Sequence, residues 1–539
     1  MADATYDAVI IGAGNKALIL AMYLAKYGGM DVALFESRHE AGGGWSGEES
    51  PAPGFMADTH ATGCSPVYHM PVEMDFPEWK ELGGIFNTAR FCGGVFREDD
   101  SCIILSGITA DPKQEYTAKS IARFSEKDAE TWLKLDKLWW EVIAPAFLEW
   151  LHNPPPPPGE PDALDRLFID PKPGIDPSWA VKSPLEVFRD LFESEALISF
   201  LLGYFYHIMA CSPDAPRMGV QYLQFLRGDW GVGVVGGTHS WAHAATKIIL
   251  ANGGKIFLQK EVDRVLIENG TATGIRLTDG SEVRARKLVI STLDPYNLCF
   301  RLIGKDYLNS DLLKKVENLE RRITCLSWYT WALRERPEYK AASFNPDINE
   351  ANYVFLVTKD PETLIREQAM RLAGKMPGDW GTVEIVQHSQ TDKTRVPEGK
   401  FSILTSQFVL PANALTEAQW LEFKKSNAES VVQLLQKHAP NMTWDNIIGY
   451  VPLTPYDCCQ LANMAPFGNW AVIDATTSQI GRLRPVPELA SSRTPIKNLY
   501  ATGSGWHPYA EAACWQSYIC YKVIAEDLGL AKPWEGRPW

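Results

Sequence analysis

The 539-residue sequence has no excess of positive charge and no cluster of basic residues. Asp and Glu number 66 against 52 Lys and Arg, which gives a formal net charge of −14 at neutral pH. Proteins that bind nucleic acid need clustered Lys and Arg to contact phosphates. We therefore expect no nucleic-acid partner.

Cysteine and metal-binding patterns are also missing. The ten cysteines are irregularly spaced, with no CxxC pair and no Cys/His set at the spacing of a zinc site. His239 and His243 are four residues apart, as metal-binding histidines on a helix can be, but no third ligand accompanies them. The pattern favours reduced thiols in a reducing compartment and predicts no metal.

Long hydrophobic runs are absent as well. No clean stretch of eighteen apolar residues occurs, so no membrane-spanning helix is expected. The nearest run, residues 196–211, is short and contains His207. We interpret it as a buried helix, with a helix that dips into a membrane face as the alternative. The first residues lead directly into a strand-like segment, so we expect no signal peptide. These features predict a cytoplasmic protein, and peripheral contact with a membrane remains open.

What the sequence does contain begins near its N-terminus, with a strand, a glycine turn, a helix and a second strand. Residues 6–11 (YDAVII) and 31–36 (DVALFE) are the strand-like segments. In the turn after the first strand, Gly12 permits a tight bend and Gly14 lets the backbone approach a pyrophosphate. The small Ala17 allows the helix to pack close to the strand.

The helix that follows this turn and the end of the second strand offer groups for a dinucleotide. The helix N-terminus, with Asn15 and Lys16, presents unpaired N–H groups to phosphates, and Lys16 is long enough to reach one. Glu36 can accept hydrogen bonds from ribose hydroxyls, and its charge disfavours a 2′-phosphate. Strand, turn, helix and carboxylate together predict a dinucleotide site.

The residues after Glu36 extend this motif. Ser37 and Arg38 are followed by a glycine run that contains Gly43 and Gly44, and then by Trp45. This extension resembles the FAD signature of the amine oxidase and phytoene desaturase superfamily. The resemblance implies that the dinucleotide is FAD and that these residues contribute to its site.

Two later segments resemble the bacterial phytoene desaturase-like flavoproteins. Residues 236–295 match the central part of that family, where the backbone of the valine at the position of Val262 pairs with the adenine. Residues 496–508, with Gly503 and Gly505, match the closing motif. In the family this motif precedes a helix, expected here from about Ala512, whose N-terminus points at the flavin ring.

The resemblance implies an α/β fold in which an FAD-binding Rossmann-like domain of the glutathione-reductase type adjoins an α+β substrate domain with a helical lid. Residues 1–90, 215–300 and 481–539 are expected to form the FAD-binding domain. Residues 91–214 and 301–480 are expected to form the substrate domain, with a helical and Pro-rich insertion near 128–180.

The sequence departs from the carotenoid desaturases after residue 508, where those enzymes carry a glycine-rich loop. Tyr509 and Glu511 stand there instead, which puts a bulky ring and an ionisable group beside the expected flavin. Glu511 is our first choice for a base, because an apolar pocket raises the pKa of a carboxylate. Its alternative role is structural, as a carboxylate at a helix start that interacts with the helix dipole. Tyr509 and His507 are the other catalytic candidates, each with a structural role as its alternative. Asp58 and His60 follow a segment that lies near the flavin in the family.

Together these features predict an FAD-dependent dehydrogenase or desaturase that removes a hydride and a proton from an apolar substrate of the isoprenoid or terpenoid kind. Electrons would pass to a quinone, another electron carrier or oxygen. The alternatives are an isomerase or saturase of a polyene, an amine oxidase, and a flavin-binding subunit of a hetero-oligomeric dehydrogenase. Homo- and hetero-oligomers both stay open.

Overall fold

The computed structural model describes residues 4–63, 65–227, 232–358, 360–378, 380–510, 512–537 and 539. These residues form a mixed α/β fold around two seven-stranded sheets. The strands are β1 (Ala4–Ile11), β2 (Val32–Phe35), β3 (Gly47–Glu49), β4 (Met56–Asp58), β5 (Phe86–Asn87), β6 (Phe91–Arg97), β7 (Cys102–Ser106), β8 (Gly233–Val234), β9 (Lys255–Phe257), β10 (Val262–Glu268), β11 (Thr271–Leu277), β12 (Glu282–Ser291), β13 (Leu326–Leu333), β14 (Tyr353–Val357), β15 (Thr382–Val386), β16 (Phe401–Phe408), β17 (Ile447–Leu453) and β18 (Leu499–Ala501).

The helices of the described residues are α1 (Asn15–Lys26), α2 (Met70–Asp75), α3 (Glu115–Ile121), α4 (Glu126–Leu138), α5 (Ala144–His152), α6 (Ala163–Ile169), α7 (Pro184–Leu191), α8 (Glu195–Met209), α9 (Gly219–Tyr222), α10 (His239–Ala251), α11 (Ser310–Glu317), α12 (Glu362–Leu372), α13 (His388–Thr391), α14 (Glu417–His438), α15 (Pro455–Leu461) and α16 (Trp515–Leu528). None of them is long and apolar enough to cross a membrane.

The first sheet is built on parallel strands in the order β9–β2–β1–β12–β18. The antiparallel pair β10 and β11 extends it through the N-terminal half of β12. Asn-Gly and Asp-Gly pairs favour hairpin turns, and Asn269-Gly270 and Asp279-Gly280 lie between β10 and β11 and between β11 and β12. The strand–turn–helix–strand prediction for residues 6–36 is therefore confirmed as β1, α1 and β2.

Both faces of the first sheet are covered, as a parallel sheet requires. Helices α1, α10 and α16 form one layer, and the apolar residues of α1 are almost all buried there. On the other face, a π-helical segment at Asn297–Ile303 packs with α11. This burial on both sides explains why β1 and β2 are continuous apolar runs rather than alternating patterns.

The second sheet is mixed, in the order β17–β13–β16–β15–β14–β6–β7, and antiparallel except between β14 and β6. One face packs against α14. The other face packs against a helical layer from residues 115–226, in which α8 lies directly on β6, β14 and β15. Nearly every side chain of α8 is buried, so the interpretation of residues 196–211 as a buried helix is confirmed.

Within the helical and Pro-rich insertion expected near residues 128–180, the Trp-rich stretch 131–151 is helical but not uniform. Helix α4 passes through a π-helical turn at Trp139–Ile143 before α5 begins, with Pro145 in the first turn of α5. Proline has no backbone N–H to donate, which fits a change of hydrogen-bond pattern just before it. The prolines 154–158 follow α5 without helix or strand, and the last two are exposed.

Candidate active site

One cavity of about 560 Å³ is lined by residues from both sheets. Its walls include the carboxyl ends of β1, β2 and β12, the N-terminus of α1, and one face of β13, β15 and β16. The carboxyl edge of a parallel sheet is where α/β folds place their ligands. The size is within the usual range for ligand pockets, roughly 300–1,000 Å³.

Two glycine turns meet at the carboxyl end of β1. Gly12 has φ +95°, and a Cβ there would lie 2.6 Å from Thr292 Oγ1. Gly43 has φ +56°, and a Cβ there would lie 2.8 Å from Gly14 Cα. Gly14 and Gly42 form a parallel bridge across the junction. Gly12, Gly14, Gly43 and Gly44 all line the cavity, so a ligand can approach the bare backbone closely at this point.

Glu36 lies just beyond β2 and lines the same cavity. Its carboxylate is held in place by backbone donors: Ala13 N is 2.8 Å from Oε2, and Arg38 N is 2.8 Å from Oε1. Ser37 and Arg38 line the cavity beside it. These backbone N–H groups carry no charge, so they do not neutralise the Glu36 carboxylate. Its oxygens can still accept further hydrogen bonds, for example from ribose hydroxyls.

Val262, at the start of β10, also lines the cavity, and its carbonyl accepts a 2.8 Å hydrogen bond from Arg301 Nη1. At the N-terminus of α1, Asn15 and Lys16 line the cavity as well. The Lys16 ammonium donates to the carbonyl of Ala513, in the segment before α16. That contact ties the first helix to the C-terminal segment.

The closing segment reaches the cavity through Ser504 and Ala512. Gly503 and Gly505 flank Ser504 without lining the cavity themselves; Gly503 has φ +146° and lies against the Thr292 carbonyl. The carbonyl of Ser504 accepts a 2.9 Å hydrogen bond from the buried Arg484.

Four other predicted site residues do not line the cavity. Ala17 is buried within α1, as its packing role requires, and Trp45 Nε1 lies 3.3 Å from the Ala512 carbonyl, to which it donates. His507 and Tyr509 are buried beneath α5, where each ring contacts Trp150.

Each of these two catalytic candidates has a polar partner at that place. His507 Nε2 lies 3.2 Å from the carbonyl of Asn153, and burial lowers the pKa of the ring. Tyr509 donates a 2.9 Å hydrogen bond to Gln224. Glu511 lies outside the described residues, so its role as a base stays a prediction.

The remaining candidates fall into two groups. His60 lines the cavity, and burial lowers its pKa to about 4, so the ring is neutral at physiological pH. Asp58 points elsewhere and forms a buried ion pair with Arg395. The rings of His239 and His243 are 4.4 Å apart, and the described residues contain no group of three side chains that could hold a metal ion.

The opposite wall of the cavity was not foreseen from the sequence. It is one face of the second sheet, where Trp328, Ser406 and Glu384 are direct cross-strand neighbours on β13, β16 and β15. Leu326 and Leu404 lie two positions away on the same face and line the cavity too. Alternate residues of a strand share a face, so this wall is apolar and aromatic except at its centre.

The polar centre of this wall includes His207 of α8. Ser406 Oγ lies 2.6 Å from Glu384 Oε2 and 2.8 Å from His207 Nε2, and His207 Nε2 lies 3.2 Å from Glu384 Oε2. Although burial opposes it, contact with His207 and Ser406 holds the pKa of the Glu384 carboxyl below its usual value. One sequence signal pointed here: a lone glutamate within the otherwise apolar strand TVEIV.

The residues at the first-sheet end fit FAD. The two glycine turns leave backbone free where a pyrophosphate needs close approach, and the N-terminus of α1 lies beside them. The Glu36 carboxylate lies at the end of the second strand, where a ribose is bound in this kind of fold. Ser504 and Ala512, from the closing segment, lie in the same cavity.

Comparison with known proteins agrees with this fit. The family model described as flavin containing amine oxidoreductase matches residues 18–403. A solved structure of an oxidoreductase from Methanosarcina mazei superposes with a TM-score of 0.61 at 18% identity, covering 96% of this chain and 99% of the other. At that identity the likeness concerns the fold.

Three curated relatives are similar in sequence. Pyridine nucleotide-disulfide oxidoreductase domain-containing protein 2 of Rattus norvegicus is 26% identical over 93% of this chain and 90% of its own length. A limonene dehydrogenase subunit from Castellaniella defragrans is 24% identical over 98% and 96%. A neurosporene-forming phytoene desaturase of Cereibacter sphaeroides is 27% identical over 51% and 50%.

Proposed function

The chain belongs to the flavin-containing amine oxidoreductase family, and we propose that within this family it dehydrogenates an apolar substrate of the terpenoid kind. It is an FAD-dependent oxidoreductase of the phytoene desaturase-like type. The substrate, the C–H bond that reacts and the electron acceptor belong to the proposal.

The observation that carries this proposal is the continuity of the cavity. The glycine turns that fit FAD and the apolar wall of the second sheet line the same space. Trp328 and the leucines beside it offer an aliphatic or unsaturated substrate an apolar surface, where burial of its carbon atoms is favourable. A substrate bound there would lie between that wall and the residues that fit FAD.

Bound FAD supplies the oxidation, because its ring accepts a hydride from a substrate C–H bond held against it. The chain's own residues position the substrate and keep water away. His60 contacts Trp328 with ring centroids 5.8 Å apart, and its neutral ring adds no charge to the cavity. The aromatic faces suit a substrate carbon that becomes electron-poor during the reaction.

We also propose the roles of the two parts of the chain. Residues 1–90, 215–300 and 481–539 would hold FAD, and residues 91–214 and 301–480 would hold the substrate. This division is supported by the cavity, because the residues that fit FAD come from the first set and the apolar wall comes from the second.

The relatives support the terpenoid assignment through their names: limonene dehydrogenase and phytoene desaturase. The former is named as one subunit of its enzyme, and we propose that this chain likewise works with a partner that receives its electrons. A quinone or a second electron carrier would then be the final acceptor.

Anaerobic titration of the FAD-loaded protein tests the proposal. Limonene should bleach the absorbance of the oxidised flavin and yield a product with one more double bond or, after capture of water, a hydroxyl group. The saturated p-menthane, which has the same skeleton but no allylic C–H bond, is the matched control and should leave the flavin oxidised. Bleaching by amines but by no terpene would contradict the proposal, and product formed without bleaching would indicate an isomerase.

A further inference from the structure

The polar cluster in the apolar wall is unexplained by hydride transfer from a hydrocarbon. His207, Glu384 and Ser406 all line the cavity. Burial of a carboxylate is costly, and an apolar substrate gains nothing from it. A cavity shaped only for a hydrocarbon would have an aliphatic side chain at this point of the sheet.

The hydrogen bonds define where the protons lie. Ser406 has one proton, which it donates to Glu384 Oε2 at 2.6 Å. Its 2.8 Å contact with His207 Nε2 must then be a bond in which the ring nitrogen donates. His207 Nε2 therefore carries a proton, and it also lies 3.2 Å from Glu384 Oε2. Both neighbours thus act on the same carboxylate oxygen.

The other oxygen of the carboxylate is left for a ligand. Glu384 Oε1 makes no hydrogen bond to any described residue. The atom is also not fully enclosed by the described residues, so a ligand can reach it. The side chain is 13% exposed. Since the residue lines the cavity, Oε1 is an acceptor open to whatever occupies it.

The cluster is built to accept a hydrogen bond rather than to remove a proton. Although burial opposes it, the Ser406 hydroxyl and the nearby His207 ring stabilise the ionised carboxylate and lower its pKa, which makes it a weak base. Glu367 and Arg371 form another buried ion pair, and Arg371 donates a hydrogen bond to the Tyr206 hydroxyl of α8. That pair is off the cavity wall.

We propose that Glu384, held by His207 and Ser406, accepts a hydrogen bond from a hydroxyl group of the substrate. The substrate is then an apolar terpenoid with one polar end, and this end fixes which carbon faces the flavin. His207 and Ser406 are positioning residues that act through Glu384. The inference rests on the proposed function, since it names the substrate class of the same cavity.

A hydroxyl fits better than an ammonium group because of the number of hydrogen-bond acceptors that each needs. Ser406 already donates to the carboxylate, and His207 Nε2 lies 3.2 Å from the same oxygen. The adjacent wall is formed by Trp328 and leucines, with no second acidic group. A buried ammonium ion would need more than one acceptor to offset its lost hydration, whereas a hydroxyl needs one.

Binding to the dithionite-reduced holoprotein tests this, because a reduced flavin accepts no hydride and turnover is removed. Calorimetry would compare limonene with three derivatives that carry an alcohol, an aldehyde or an amine on the same carbon: perillyl alcohol, perillaldehyde and perillylamine. The wild type should bind the alcohol at least about tenfold more tightly than limonene, as expected for a hydrogen bond to a charged acceptor.

Glu384→Gln should reverse the polar preference. The amide oxygen can accept from Ser406, as Oε2 of the carboxylate does, which leaves the NH₂ group facing the cavity as a donor. The alcohol should lose about tenfold in affinity, because its hydroxyl then makes only a neutral hydrogen bond with that NH₂ group. The aldehyde should gain, and limonene should change little. Ser406→Ala should weaken alcohol binding to a smaller degree, and its matched control is Ser389→Ala, a buried serine off the cavity that should leave binding unchanged.

Each outcome decides a different point. Equal affinities for alcohol and limonene in the wild type, or an unchanged preference in Glu384→Gln, would overturn the inference and leave the dehydrogenase proposal standing. Preference for the amine would overturn the hydroxyl assignment. Failure of all four ligands to bind the wild type would contradict the proposed function itself, and the inference with it.

Discussion

Arg395 and Asp58 form a buried ion pair beside the cavity. Arg395 Nη2 lies 2.7 Å from Asp58 Oδ2, and the two side chains are 2% and 0% exposed. Asp58 also accepts hydrogen bonds from the backbone N–H and the hydroxyl of Thr238, at 2.8 Å and 3.1 Å. The pair thus joins the end of β4, the turn before α10 and the segment before β16.

Loss of one partner should be costly, because the other charge would stay buried without compensation. Arg395→Ala should lower the free energy of unfolding by about 3–5 kcal/mol. Arg189→Ala is the matched control: Arg189 pairs with Glu195 and Glu362 at the surface, and its loss should cost about 0–1 kcal/mol. Thermal unfolding of both variants measures the difference. Equal unfolding midpoints for the two variants would show that the buried ion pair stabilises the fold no more than the surface pair does.

A second prediction uses two glycines with nearly the same backbone angle. Gly43 has φ +56° and Gly29 has φ +58°, but only a Cβ at Gly43 would meet a neighbour, Gly14 Cα at 2.8 Å. Both alanine variants should introduce about 1–2 kcal/mol of backbone strain. Only Gly43→Ala should also lose FAD, measured as bound flavin per protein after gel filtration. FAD retained at the wild-type ratio in Gly43→Ala would contradict the assignment of the two glycine turns to FAD binding.

Arg484 gives a third prediction. Its guanidinium donates to the carbonyls of Ser504 and of four residues between 471 and 479. Burial lowers its pKa to about 9. A lysine carries its charge on a single nitrogen and cannot donate hydrogen bonds to all five carbonyls.

Arg484→Lys should therefore lower the free energy of unfolding by about 2–4 kcal/mol and loosen Ser504, which lines the cavity that would hold FAD. The control is Arg334→Lys, at an exposed arginine that donates to the single carbonyl of Asp445. Thermal midpoints and FAD release rates check both effects. An unchanged rate of FAD release in Arg484→Lys would show that Arg484 and the carbonyls around it do not contribute to holding FAD.

The fourth prediction concerns pH. Burial lowers the pKa of Lys522 to about 8, while its amine donates to Asn153 at 2.9 Å. An unfolded lysine keeps a pKa near 10.4, so between about pH 8 and 10.4 the unfolded chain binds more protons than the folded one at this site. Stability contributed by this group must then rise with pH across that window.

Lys522→Met removes this titration. The wild-type midpoint, compared with that of the variant at each pH, should improve from about pH 8 to 10.4, because deprotonation relieves the cost of a buried charge. Below about pH 7 the difference should be flat, since both states are then protonated. If the wild-type midpoint relative to that of Lys522→Met fell with rising pH, the sign would contradict the prediction. The folded protein would then stabilise the Lys522 ammonium ion.

Much of the FAD-binding half could be predicted from local sequence. Gly12, Gly14 and Glu36 lie within one strand–helix–strand unit, whose geometry is set by contacts between near neighbours in the chain. The turns at Asn269-Gly270 and Asp279-Gly280 are local as well. Such signals do not depend on distant partners, and the structure confirms these elements.

Side-chain orientation in the segment around residues 496–512 could not be predicted from local sequence. Its strand and helix are where the pattern indicates, yet His507 and Tyr509 face α5 and not the cavity. Trp150 and Asn153, which hold them there, come from an insertion whose packing no local pattern reveals. Which way a side chain points in an irregular loop depends on what covers the loop.

By itself, then, the sequence determined a dinucleotide-binding α/β fold, and through its resemblance to the desaturases it indicated FAD. Only the tertiary structure brought His207, Ser406 and Glu384 to one point, because they come from a helix and two strands. Ser406 lies 199 residues from His207 and 22 from Glu384 along the chain. Strand register decides which side chains are neighbours across a sheet, and register is fixed by the packing of whole faces.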